Sequence, residues 1–153
     1  MPLRKLLQRA SVIPVLTIDD VAHAVPLAEA LVAGGLAVLE VTLRTPAALD
    51  SIRAMRAAVP GAVIGAGTVI NAAQFAAAAA AGSQFVVSPG LSPCLIAAAK
   101  DLGIPLLPGA TTPTEIMAAL DAGIDTLKFF PAVQSGGAAM LKALAAPLPR
   151  VAF

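Results

Sequence analysis

Lys128 interrupts an apolar run, Thr126-Leu127-Lys128-Phe129-Phe130-Pro131, that otherwise reads as a buried strand. The other three lysines, Lys5, Lys100 and Lys142, lie in segments of helical patterning, from which an ammonium reaches water. An ammonium held among apolar side chains either pairs with a carboxylate or gives up its proton more readily. In the second case it becomes a nucleophile able to form a Schiff base with a carbonyl. A strand-end lysine that extends its stem to solvent fits the same local pattern, so the choice rests on what surrounds it. Glu40, in the run Ala37-Val38-Leu39-Glu40-Val41-Thr42-Leu43-Arg44, is the one carboxylate inside a strand pattern. Buried alone it would be costly. It is read either as a structural partner of Arg44 or Lys128, or as a general acid/base beside an imine-forming amine. Arg44 and Thr68 offer a cationic and a hydroxyl contact for a substrate carboxylate, although each alone also fits a loop arginine or a strand-end threonine.

Seven β-rich runs must position these groups, beginning near Ile13, Ala37, Val63, Phe85, Pro105, Thr126 and Arg150, 20 to 26 residues apart. Helical segments are predicted between them over 20–33, 46–59, 72–81, 93–102, 113–122 and 137–145. Asp19 or Asp20, Thr45, Asn71, Ser92 and Thr112 are expected N-caps, and Gly34, Gly61, Gly82, Gly103 and Gly123 follow the C-termini. Pro26 should kink the first of these helices or delay its start. Strands separated by crossover helices run parallel. Period-two alternation opposes Leu39, Val41 and Leu43 to Glu40, Thr42 and Arg44, and opposes Leu127 and Phe129 to Thr126, Lys128 and Phe130. Polar groups on one face of two nonadjacent strands suit an enclosed barrel interior better than a sheet covered by helices on both sides. The expected fold is therefore α/β, a TIM (β/α)8 barrel. Residues 1–153 would form a single domain covering about the first six βα units and the start of strand seven.

Hydrophobic residues make up 58% and charged residues 12% of the 153-residue chain. That charged share is about half the usual one and favours burial of surface in an oligomer. The net charge is +1 and there is no Trp or Tyr, which argues against nucleic acid as a partner. The single cysteine, Cys94, excludes an intrachain disulfide and is expected to be buried or a bystander; His23, the only histidine, is expected on an exposed helix face. No metal site is expected. Gly65-Ala66-Gly67-Thr68 is too short for a dinucleotide loop. No apolar run reaches about 18 residues, so no membrane partner and a cytoplasmic location are expected.

Five motifs taken together, Glu40-Val-Thr-Leu-Arg44-Thr45, Gly65-Ala-Gly-Thr68-Val69, Val87-Ser-Pro89-Gly90, Pro105-Leu-Leu-Pro108-Gly109 and Leu127-Lys128-Phe-Phe130-Pro131-Ala132, resemble the class I 2-keto-3-deoxy-6-phosphogluconate (KDPG) aldolases. The resemblance runs from about Val12 to Phe153. It implies a trimeric TIM-barrel lyase of the Entner-Doudoroff pathway that cleaves KDPG to pyruvate and glyceraldehyde 3-phosphate without a cofactor, and that also takes 4-hydroxy-2-oxoglutarate. By that resemblance Lys128 is the Schiff-base lysine and Glu40 the general acid/base. Arg44, Thr68 and Pro89 line the pyruvate end, and Phe130 packs beside the imine. Replacing Lys128 with Met is expected to leave the fold intact or more stable.

Two departures from the family pattern stand out. The sequence stops within the expected seventh strand, before the glycine-rich loops that bind the substrate phosphate in the family, so a C-terminal truncation and a lost preference for phosphorylated substrates are expected. Val133 replaces the acidic residue usual after the Phe-Phe-Pro-Ala run. With the alanine-rich segment 75–81, these features support an alternative reading, an aldolase-derived structural or self-assembling subunit with little activity.

Overall fold

The computed structural model describes residues 3–153. A short helix α1 (Leu3–Leu7) is followed by β1 (Val15–Leu16), α2 (Ala24–Ala33), β2 (Val38–Thr42), α3 (Ala48–Ala58), β3 (Val63–Gly67), α4 (Ala72–Ala80) and β4 (Val86–Ser88). Then come α5 (Pro93–Leu102), β5 (Leu106–Ala110), α6 (Pro113–Asp121), β6 (Lys128–Phe129) and α7 (Gly137–Ala145). The strands form a six-stranded parallel sheet in sequence order.

The predicted helices are all present, and their ends follow from local chemistry. Asp20 accepts from the Ala22 N–H and caps a single 3-10 turn over Val21–His23; the α-helix proper begins only at Ala24. Pro26 thus falls in the first turn, where its missing N–H is no loss, and the effect is a delayed start. Asn71 caps α4 by accepting from Gln74 N–H at 2.9 Å, while Gln74 Oε1 accepts from Ile70 N–H. Thr112 and Glu115 form a reciprocal capping box on α6. Ser92 is the N-cap residue of α5 but makes no side-chain cap bond. Thr45 does not cap α3, contrary to expectation. The helix begins after Ala47, and the Thr45 hydroxyl donates instead to the Ile18 carbonyl, tying the β1 exit to the β2 exit. The expected seventh strand is reduced to one parallel bridge, Ala152 with Thr126.

The alternation read from the sequence divides the core into an outer and an inner part. Leu39, Val41, Ile64, Ala66 and Val86 pack outward against Ile52, Met55, Phe75 and Ala78 of the helices. Leu127 and Phe129 join a separate outer cluster with Ile116, Ala119 and Leu144. On the inner face Val38, Val63, Phe85 and Val87 pack with Leu6, and Leu3, Leu7, Ala10 and Ile13 lie against them. Helix α1 therefore plugs the end of the interior where the strands begin. Lys5 lies in this helix, as expected, but the plug itself has no signal in the sequence pattern. Further along β2 the inner face turns polar at Glu40 and Thr42, both buried.

Candidate active site

Lys128, the first residue of β6, is in register with Gly109 of β5. Its Nζ lies 3.3 Å from Glu40 Oε1 and 3.4 Å from Oε2. β2 and β6 are four strand steps apart in the sheet. Were the sheet flat, that would be roughly 19 Å, beyond the combined reach of the two side chains. The contact therefore requires the sheet to curl, bringing β2 and β6 across one interior. This is a parallel half-barrel.

Glu40 is only 4% exposed. Its carboxylate rests on Gly67 of β3, where a Cβ would come within 2.2 Å of Glu40 Oε1. The Lys128 side chain is 28% exposed, so the expectation of a deeply buried lysine needs correction. The interior opens beside its ammonium. Of the two outcomes for a lysine among apolar groups, pairing with a carboxylate is the one observed. Arg44, the other possible partner of Glu40, is engaged elsewhere. Phe130 is half-exposed and its ring centroid lies 5.4 Å from Lys128 Nζ, within cation–π range.

Arg44 and Thr68 form a second pair, with Arg44 Nε donating to Thr68 Oγ1 at 3.3 Å. Thr68 has φ of 60°, an uncommon left-handed conformation for a β-branched residue. The backbone on either side is fixed by Leu43 N–H to Gly67 O and Val69 N–H to Val87 O bonds. Because Thr68 accepts from Arg44, its own proton is uncommitted, and the terminal guanidinium nitrogens have no partner among the described residues. These are convergent donors, suited to a carboxylate. The two pairs are linked through β2 and β3, since Glu40 packs on Gly67, the neighbour of Thr68.

Pro89 follows β4 and is exposed, and its carbonyl fills the space that a side chain at Gly109 would need. It is thereby brought beside the register partner of Lys128. The Ser88 hydroxyl donates to Gly90 O at 2.7 Å, closing a local turn around Pro89. Cys94 is exposed beside Ser92 rather than buried; in the first turn of α5 it is Leu95 that faces the core. His23 is exposed, as expected. Among the described residues no group of three or more metal-ligating side chains forms, and no helix is long and apolar enough to cross a membrane.

A cavity of about 690 Å³ opens beside Lys128, between Leu7, Ala10 and Ile13 on one side and Thr126, Phe129 and Phe153 on the other. Of the site residues only Lys128 lines it, and Glu40, Arg44, Thr68, Pro89 and Phe130 do not, so this cavity meets the site at the lysine from the side of α1. Sequence reasoning missed Gly67 as the seat of Glu40. The available signal was a glycine within a strand, which often marks a close approach.

A family model described as KDPG and KHG aldolase matches residues 3–153. The 2-dehydro-3-deoxy-phosphogluconate aldolase of Pseudoalteromonas atlantica is 54% identical over 142 residues, 93% of this chain and 66% of that protein. The chain thus spans about two thirds of that relative's length. A structure of the 2-keto-3-deoxy-6-phosphogluconate aldolase of Zymomonas mobilis superposes with a TM-score of 0.95 at 50% identity, covering 99% of this chain and 73% of that one. The Legionella pneumophila KDPG aldolase, with pyruvate captured as a covalent carbinolamine intermediate, superposes with a TM-score of 0.90 at 46% identity, covering 94% and 69%.

Proposed function

Because the chain belongs to the KDPG and KHG aldolase family, we propose that it is a class I aldolase, cleaving KDPG to pyruvate and glyceraldehyde 3-phosphate through a Schiff base on Lys128. The 3.3 Å contact between Lys128 Nζ and Glu40 Oε1 carries this reading. Attack of the Lys128 amine on C2 of the keto acid gives a carbinolamine, and Glu40 moves the protons that let water leave. The protonated imine is then an electron sink. When a base, Glu40, takes the C4 hydroxyl proton, the C3–C4 bond breaks, its electrons form an enamine and the aldehyde departs. Protonation at C3 and hydrolysis release pyruvate and restore the lysine.

Arg44 and Thr68 hold the substrate carboxylate, Pro89 lines the same end and Phe130 covers the imine. The chemistry is unchanged for 4-hydroxy-2-oxoglutarate, which we propose as a second substrate. We further propose a role in the Entner-Doudoroff pathway in the cytoplasm, a single domain over 1–153 belonging to an eight-unit barrel, and a homotrimer or larger assembly. The exposed apolar side chains of Ile70, Met117 and Val133 support association and favour a second, compatible role as an assembling subunit.

Borohydride reduction in the presence of pyruvate tests the central step. The expected result is one modified peptide, the one containing Lys128. Modification at Lys5, Lys100 or Lys142 instead, or cleavage of the keto acid by a Lys128→Met protein, would overturn it.

A further inference from the structure

We propose that Thr17 is a further substrate-recognition residue, whose hydroxyl accepts a hydrogen bond from the substrate hydroxyl on C5, the carbon next to the one released as the aldehyde. The proposal rests on the Schiff-base cleavage proposed above. Val15 is in register with Glu40 and Leu16 with Val41. Extending that register by one residue puts Thr17 opposite Thr42, and the two Oγ1 atoms are 3.1 Å apart. Thr42 shares the inner face of β2 with Glu40, so Thr17 stands one pleat beyond the Glu40–Lys128 pair, roughly 7 Å along the strand direction. That is the side toward the strands' C-terminal ends. Thr42 is fully buried and Thr17 is exposed.

Counting protons fixes what Thr17 can recognise. Each threonine hydroxyl has one proton to donate and two lone pairs. Thr42 donates its proton to the Leu16 carbonyl at 2.9 Å, an oxygen that can only accept. In the 3.1 Å contact Thr42 must therefore accept and Thr17 must donate. Thr17 is left with lone pairs alone to offer to the interior. A group restricted in this way binds an O–H and disfavours a carboxylate or phosphate oxygen. Arg44 and Thr68 differ, since the terminal guanidinium N–H groups and the Thr68 proton are donors that a carboxylate can use. The two ends of the site are thus chemically distinct, with donors for the keto-acid carboxylate and an acceptor for a hydroxyl of the departing half. Thr42 is a positioning residue in this scheme, acting through Thr17.

The test runs the reaction in the addition direction on the full chain, with pyruvate and either 2-hydroxypropanal or propanal, aldehydes that differ only in the hydroxyl at issue. The unaltered protein is expected to prefer the hydroxylated aldehyde in kcat/KM. Thr17→Val should lower that preference about fivefold, the effect of one neutral hydrogen bond, with the loss falling on the hydroxylated aldehyde, and Thr17→Ser should restore it. Thr42→Val, which frees the Thr17 proton, should lower the preference part of the way. An unchanged preference in Thr17→Val, or an equal fall for both aldehydes as a packing defect between β1 and β2 would give, overturns the proposal. Borohydride trapping of pyruvate on the unaltered protein reports the lysine separately. Its failure overturns the Schiff-base reading and this proposal with it, whereas successful trapping with an unmoved preference overturns Thr17 alone.

Discussion

The Glu40 carboxylate is held from two sides, by the Lys128 ammonium and by the bare backbone of Gly67. Gly67→Ala places a methyl group where Oε1 now sits, so the carboxylate must move by an ångström or more. Displacement of that size costs about a hundredfold in rate. We expect turnover to fall by that factor while pyruvate trapping on Lys128 persists, measured by single-turnover cleavage beside borohydride labelling. The same geometry reverses the expectation for Lys128→Met. Removing the ammonium leaves a carboxylate that is 4% exposed without its partner, and breaking a buried pair from one side costs about 3 kcal/mol. Denaturant unfolding should show Lys128→Met destabilised by that order and the Lys128→Met/Glu40→Gln double variant largely recovered. Equal stability of the two variants would refute the coupling. The pair itself was legible in the sequence because a lysine and a glutamate each broke an apolar alternation. Gly67, Thr17 and the partial exposure of Lys128 were not, since they depend on how neighbouring strands lean together rather than on periodicity within one strand.

At the level of elements, caps and plugs set stability. The Glu115 carboxyl is held below the usual carboxylate range, chiefly by the Thr111 N–H; burial opposes this, and the Thr112 N–H and both threonine hydroxyls add to it. A carboxylate with a depressed folded-state value contributes stability above the ordinary range, and that contribution is lost as pH falls through the folded value. The melting-temperature gap between the unaltered protein and Glu115→Gln should thus be constant above about pH 5 and close below the ordinary range of about 4.3. A gap that widens in acid would contradict this assignment. Thr112→Ala should cost about 1 kcal/mol at neutral pH. Leu6, 4% exposed in the plug formed by α1, should cost about 2–5 kcal/mol as Leu6→Ala, read from urea midpoints. Helix positions were legible because glycines and capping residues bracket apolar periods. Thr45 misled because its hydroxyl found a tertiary acceptor, Ile18 O, in place of a local one, and α1 is too short to show a period.

For the whole molecule, the parallel half-barrel was legible from two polar inner faces, but its curvature is shown only by the Lys128–Glu40 contact across four strand steps. The exposed apolar residues predict self-association. Sedimentation at micromolar concentration should give a multiple of the chain mass, and a monomer would sink the trimer proposal. The layer beneath the chemistry is closed by one fit, the Phe85 ring lying so near Gly65 that a Cβ there would come within 2.4 Å of Cζ. In a diverging lineage that fit fixes the order of events. Residue 85 must shrink before residue 65 can grow, because the reverse order drives the new Cβ into the ring.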